Sequence, residues 1–389
     1  MPSLSLPILR GSEPINTVLP PVVSHEKKPV LQDKHRRALA TGAPAARRLT
    51  KQLPPWKQPR PVVILHGASA DANKMRDTEM WVREALPRAH VVNLDLGNGL
   101  LDSVGRPLYW QVEQFAAEVK ADPRLAGGFN LIGYSQGSVV GRAYIQKHNT
   151  PKVYNFISWA GPQAGQFGLP LQETALPRPV SRLLTSSLLP VLRPLLLWSH
   201  LQNRVSLSNL WRCPSQPDCT GSAPFIADIN NEAEEPSRRN ATYASNMASL
   251  SNLVLVASPA DQIVVPWQSA AFAQLEADPR GKSFGTILKP LVDSTLFRED
   301  RIGLKTLHAR NKLHIALANV SHFEFPRGAG KDEVFDKYTL PFLKSDATLA
   351  LPRIAWRSRV RVQQPDRARR VAAEREAATV LYENGLFDI

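Results

Sequence analysis

The sequence is short of several features that would each have pointed to a function. It has 2 cysteines in 389 residues, too few for a disulfide scaffold, and Cys213 and Cys219 lack the spacing of a metal site. Their separation leaves two states open: one local bridge in an oxidising compartment, or two free thiols. The stretch from Leu188 to Trp198 is apolar, but Pro190, Arg193 and Pro194 break it well short of a bilayer span. No G-x-G-x-x-G follows an apolar strand and no G-x-x-x-x-G-K-[ST] occurs, so neither a nucleotide nor any other cofactor is indicated.

Acidic residues are also scarce, and the formal charge is +14. The excess is unevenly placed. Residues 1–60 hold 11 Lys and Arg against 3 Asp and Glu, with 10 Pro; they read as a basic, disordered arm. Residues 346–389 hold 8 against 6 and read as an Arg- and Ala-rich tail with a helix near 366–383. The central stretch carries little net charge, which argues against a nucleic-acid surface there. Pro2, Pro7, Arg10, Glu13 and Pro14 interrupt any apolar signal-peptide core at the start.

Between these flanks, residues 61–345 read as one domain. Short β-branched runs recur: PVVILHG (61–67), HVVNLDLG (90–97), FNLIGYS (129–135), VYNFISWAG (153–161), LSNLVLVAS (250–258) and LHIALANVSH (313–322). Helical patterns separate them, one around Met80, Trp81 and Leu86, a second from Trp110 to Lys120 and a third in QGSVVGRAYIQKH. Fully apolar strands alternating with helices predict a mostly parallel sheet with helices on both faces. A Leu- and Pro-rich insertion at about 166–249 reads as a cap-like element.

Gly133-Tyr134-Ser135-Gln136-Gly137 lies between a predicted strand and a predicted helix. G-x-S-x-G in that context is a nucleophile elbow, in which small flanking residues let chain segments approach the serine. A serine hydroxyl needs a base, and in this architecture the acid and the histidine follow the serine in the chain. Asp261 stands just beyond the strand LVLVAS, a place that Asp218, Asp228, Asp278, Asp293 and Asp300 do not share. His322 stands past the strand LHIALA, whereas His200, His308 and His314 fall in the insertion, in a helix or loop, and at a strand start. The expected oxyanion donors are the backbone N–H of Gln136 and that of Ala68, in the loop after the first strand. His66 is expected to hold that loop.

Seven segments in order, PVVILHG, DPRLAGGFNLIGYSQGSVVGRA, ISWAGPQAGQFGLP, FIADINNE, the run through Asp261 to Val265-Pro266, EDRIGLK, and VSHFEF through LPFLK, resemble the palmitoyl-protein thioesterases. The resemblance implies an α/β-hydrolase fold and hydrolysis of long-chain fatty acyl thioesters, on protein cysteines or on coenzyme A. It implies Ser135 as nucleophile, Asp261 as orienting acid and His322 as base, with Gln163, Gly165 and Phe167 along the acyl groove. It also implies a lysosomal or secretory location, which the first residues do not display. The rival functions are an oxygen-ester lipase or carboxylesterase with the same triad and, more remotely, a non-catalytic binding module. Substrates are S-acylated proteins or acyl-CoA, with no metal, no nucleic acid and no transmembrane segment expected.

Overall fold

The computed structural model describes residues 59–167, 199–202, 204–212, 224–276, 287–345 and 360–361. Nearly all of the arm 1–60 and the tail 346–389, the expected helix near 366–383, Cys213 and Cys219, and much of the insertion lie outside them.

Six strands form one sheet: β1 Val62–Leu65, β2 Val91–Leu94, β3 Phe129–Tyr134, β4 Val153–Trp159, β5 Asn252–Ala257 and β8 Leu313–Leu317. Their order is β2-β1-β3-β4-β5-β8, and every neighbouring pair is parallel. Each coincides with one of the apolar runs in the sequence. β8 is shorter than its predicted run, because the chain leaves the ladder after Leu317 and Ser321 and Glu324 form a capping box. That box opens a 3₁₀ turn at His322.

Alternate residues of the strands face opposite layers, as the period of two demands. Val63, Leu65, Leu131, Leu253 and Leu255 join one buried cluster with Val112, Phe115, Val139, Val140 and Tyr144. Val62, Ile64, Ile132, Ile157, Val254 and Val256 join the other with Trp81, Val82, Phe335 and Phe342. The first cluster draws on helices α3 (Leu108–Ala121) and α4 (Gln136–Lys147). The second draws on α1 (Arg76–Ala85) and a π-helical segment, Lys331–Thr339. Each buried Val, Leu or Ile contributes about 1.5–3 kcal/mol relative to exposure. The two-sided burial explains why the strands carry so little polar alternation.

A second, antiparallel sheet joins β6 (Gln274–Glu276), β7 (Ile287–Lys289) and β9 (Val360–Arg361). The chain passes from β1 outward to β2, then returns across β1 to β3. Strand order therefore reverses between β1 and β3. In open parallel sheets the crevice at the carboxyl ends of such a pair is where ligands bind. The loop of Ala68 leaves β1 there, and Ser135 follows β3.

Candidate active site

Ser135 is held at φ 53°, ψ −123°, a strained conformation for a residue with a side chain. Two features enforce it. Its backbone N–H donates to the Trp159 carbonyl at 2.8 Å, and the chain on either side packs too tightly to relax. A Cβ on Gly137 would meet the His66 carbonyl and lie 2.8 Å from that of Leu65. A Cβ on Gly67 would lie 2.9 Å from the Cβ of Ser135. Only glycine lets β1, its loop and the first turn of α4 come so close. Within the same turn the Ser138 hydroxyl donates to the Gly133 carbonyl at 2.6 Å.

The structure brings Ser135, His322 and Asp261 together. Ser135 Oγ lies 3.1 Å from His322 Nε2, and His322 Nδ1 lies 2.8 Å from Asp261 Oδ2. His322 is 2% exposed and Asp261 6%, while Ser135 is half-buried. The second carboxylate oxygen, Asp261 Oδ1, accepts the backbone N–H groups of Ile263 and Val264 at 2.9 and 3.0 Å. A buried carboxylate satisfied in this way stays fixed in orientation and fixes the imidazole in turn.

Three residues that sequence reasoning passed over position this chain. The Tyr134 hydroxyl donates to the His322 carbonyl at 3.0 Å. The Ser258 hydroxyl donates to the Val320 carbonyl at 2.6 Å and ties the Asp261 loop to the His322 loop. Gln111 accepts from the Gln136 side chain at 2.9 Å. The only sequence sign of Tyr134 is its place inside G-x-S-x-G. Ser258 and Gln111 have no sign at all, since their partners are remote in the chain.

Gln136 is the first residue of α4, so its backbone N–H has no partner four residues earlier in the helix, and the positive end of the helix dipole lies beside Ser135. Its side chain also donates to the Ser103 carbonyl at 2.7 Å. Ala68 is half-buried, directly after the Gly67 that abuts Ser135. His66 is buried, with Nδ1 2.9 Å from the Gly67 carbonyl and Nε2 3.6 Å from Asp95.

Gln163 is fully buried and donates to the Ser158 hydroxyl at 2.9 Å. Its carbonyl accepts from Arg142 of α4 at 2.9 Å, and Arg142 also donates to Asn230 at 2.8 Å. One buried arginine thus links GYSQGSVVGR, QAGQF and FIADINNE, a physical reason for these motifs to occur together. Gly165 and Phe167 run beside the Asp261 loop: Phe167 N–H donates to the Val265 carbonyl at 2.8 Å, and the Ser269 hydroxyl to that of Gly165 at 2.6 Å.

The competing residues are engaged elsewhere. Asp228 accepts from Tyr109 and Tyr243, Asp300 from Thr306, and Asp293 closes a short 3₁₀ turn. His308 packs on Phe297, and His314 on Phe342. Among the described residues no group of His, Cys, Asp and Glu is arranged to hold a metal, and no helix is long and apolar enough to cross a membrane.

The parallel sheet, the strained serine between β3 and α4, and an acid and a histidine supplied after later strands define the α/β-hydrolase class. Within that class the chain matches the palmitoyl protein thioesterase family over residues 61–322. Palmitoyl-protein thioesterase 3 of Dictyostelium discoideum is 36% identical over 287 residues, covering 74% of this chain and 93% of the relative. Palmitoyl-protein thioesterase 1 of Caenorhabditis elegans is 31% identical, covering 75% of this chain and 93% of the relative. Human lysosomal thioesterase PPT2 is 31% identical, with 68% and 82% covered. The chain belongs to the palmitoyl protein thioesterase family and, with it, to the thioester hydrolases.

Proposed function

We propose that the protein hydrolyses long-chain fatty acyl thioesters, on protein cysteines or coenzyme A, through an acyl intermediate on Ser135. The observation that carries this reading is the continuous chain from Ser135 Oγ through His322 to Asp261, at 3.1 and 2.8 Å, in a family of thioester hydrolases. A non-catalytic binding module has no need of such a chain.

In the proposed cycle Ser135 Oγ attacks the thioester carbonyl while His322 Nε2 takes its proton. Asp261 holds the Nδ1–H and stabilises the imidazolium. The backbone N–H groups of Ala68 and Gln136 receive the oxyanion, aided by the amino end of α4. The C–S bond then breaks, His322 Nε2 returns its proton to the departing sulfur, and the thiol leaves. Water gives a proton to His322 and its oxygen to the acyl carbon, and the fatty acid departs as Ser135 regains its proton. A thiolate is a stable leaving group, so rate depends less on protonating it than on holding the acyl chain. Burial of each CH₂ contributes about 0.8 kcal/mol. We assign Gly165 and Phe167 to the acyl path beside the Asp261 loop, and Gln163 to the layer beneath it.

The test is turnover of palmitoyl-CoA, a palmitoylated cysteine peptide and an oxygen ester of equal chain length by the wild type and Ser135→Ala. Cleavage of both thioesters by the wild type alone is the expected result. Cleavage of the oxygen ester with the thioesters spared would assign the same triad to an esterase instead.

A further inference from the structure

His66 is the first polar side chain after the apolar strand β1, and it is 5% exposed. Burying a polar ring there carries a cost that another Val or Leu would not, unless its nitrogens are bonded. Nδ1 lies 2.9 Å from the Gly67 carbonyl. A carbonyl only accepts, so the ring carries its proton on Nδ1 and donates it. Nε2 is buried, has no hydrogen-bond partner among the described residues, and lies 3.6 Å from Asp95. The ring is thus satisfied at one nitrogen, and that nitrogen grips a backbone carbonyl one residue away.

The peptide held in this way carries one of the two expected oxyanion donors. The Gly67 carbonyl and the Ala68 N–H belong to the same planar unit, which is trans. In a trans peptide the two groups point in opposite directions, so fixing the carbonyl fixes the direction of the N–H. Among the described residues no other hydrogen bond reaches the Gly67 carbonyl. Gly67 has no Cβ to restrict rotation of that unit, so the ring supplies the restraint. The backbone that bears the ring is itself pressed against α4. The His66 carbonyl occupies the place of a Cβ on Gly137, and the Leu65 carbonyl would lie 2.8 Å from that carbon. Gln136 opens the same helix. Both donors are therefore set in one frame, Gln136 N–H by the start of α4 and Ala68 N–H through His66.

We propose that His66 is a positioning residue for the oxyanion site: its Nδ1–H holds the Gly67 carbonyl so that the Ala68 N–H faces the oxygen on which charge develops when Ser135 attacks. The proposal rests on the acyl-serine reading, with Ala68 as a donor. The test compares the wild type with His66→Ala, His66→Asn, His66→Gln and Asp95→Asn, on palmitoyl-CoA and on an oxygen ester of equal chain length, beside urea unfolding of each. The Asn amide nitrogen stands at the place of Nδ1, and the Gln amide nitrogen near that of Nε2. His66→Ala is expected to lower kcat about 10- to 100-fold with KM unchanged, the mark of an interaction made only in the transition state. His66→Asn is expected to return most of that loss, and His66→Gln little of it. Asp95→Asn is expected to keep the wild-type kcat, because its amide oxygen can still accept from the Ala72 N–H.

A His66→Ala protein with wild-type kcat overturns the proposal, and so does a loss confined to KM or to the unfolding midpoint. Recovery by Gln but not by Asn assigns the role to Nε2 and overturns it as well. Where His66→Ala does not fold, the Asn and Gln variants decide on the same terms. A fall in Asp95→Asn equal to that in His66→Ala makes the two residues a proton relay and also overturns it. The oxygen ester separates this proposal from the thioesterase reading. Thioesters spared by the wild type remove the proposed substrate, whereas the same fall and recovery on the ester support the role of His66.

Discussion

The turn that carries Ser135 is held by close packing, and the loops that carry Asp261 and His322 are held by hydrogen bonds. Around Ser135, glycines bring backbone against backbone, and the strained φ of 53° survives because nothing nearby can yield. Around the other two, single hydrogen bonds do the holding: the Ser258 hydroxyl reaches Val320, the Tyr134 hydroxyl at the end of β3 reaches His322, and within its own loop Asp261 accepts from the backbone N–H groups of Ile263 and Val264. Steric restraint fails abruptly, since a carbon either fits or does not. Hydrogen-bonded restraint fails in steps of about 1 kcal/mol per bond. The two halves of the proposed triad are therefore expected to respond differently to substitution.

The largest effect is expected at the junction of the two halves. Asp261→Asn keeps the shape of the loop but presents the wrong partner to His322 Nδ1, so kcat is expected to fall about 10⁴-fold with the fold intact. Steady-state kinetics with palmitoyl-CoA beside a circular dichroism melt checks this. A melt that collapses would show that Asp261 serves the fold more than the chemistry.

Gly137→Ala tests the packed half alone. The added carbon meets two backbone carbonyls, and the expected cost is about 3 kcal/mol in urea unfolding, with turnover lost as the serine turn shifts. A stable, active Gly137→Ala protein would mean that the turn is looser than its packing indicates.

The strands that lead into the bonded loops, β5 and β8, should be pH-sensitive. His314 on β8 bonds to Asn252 on β5 at 3.0 Å, and burial pushes its imidazole down to about 4. The unfolded histidine takes a proton near pH 6.5, so the unfolded chain binds it first as pH falls. Stability from this residue is complete above about pH 6.5 and is lost as pH falls toward 4, by about 1–2 kcal/mol between about pH 7 and about pH 5. His314→Gln is expected to flatten that part of the curve, read from urea midpoints at the two pH values.

The smallest effect is expected for Ser258→Ala, which removes one loop-to-loop bond. About 1 kcal/mol of stability and a modest drop in kcat with KM unchanged are expected, against the abrupt loss at Gly137. Rescue of kcat by Ser258→Thr would tie the effect to the hydroxyl.

The same contrast explains what could be read from the sequence. The six strands of the parallel sheet were legible because two-sided burial forces continuous β-branched runs such as VVIL and NLVLVA. Ser135 was legible because tight packing requires glycine at fixed offsets. Asp261 and His322 were legible only through chain order and the ends of apolar strands. Their supports were not: Ser258, Tyr134 and Gln111 act across 62, 188 and 25 residues, and no local pattern marks a serine whose partner is so distant. The antiparallel sheet was missed because β6, β7 and β9 have two or three residues each, too few for any periodicity. Gln163 was assigned to the acyl groove through resemblance; its burial beneath Arg142 and Ser158 came only from the structure.

The most direct test of the central claim is to quench the wild type during turnover of palmitoyl-CoA and map the acyl group by peptide mass spectrometry. The account predicts a palmitoyl adduct on the peptide containing Ser135, absent in Ser135→Ala. An adduct on another residue, or steady turnover by Ser135→Ala, would contradict it.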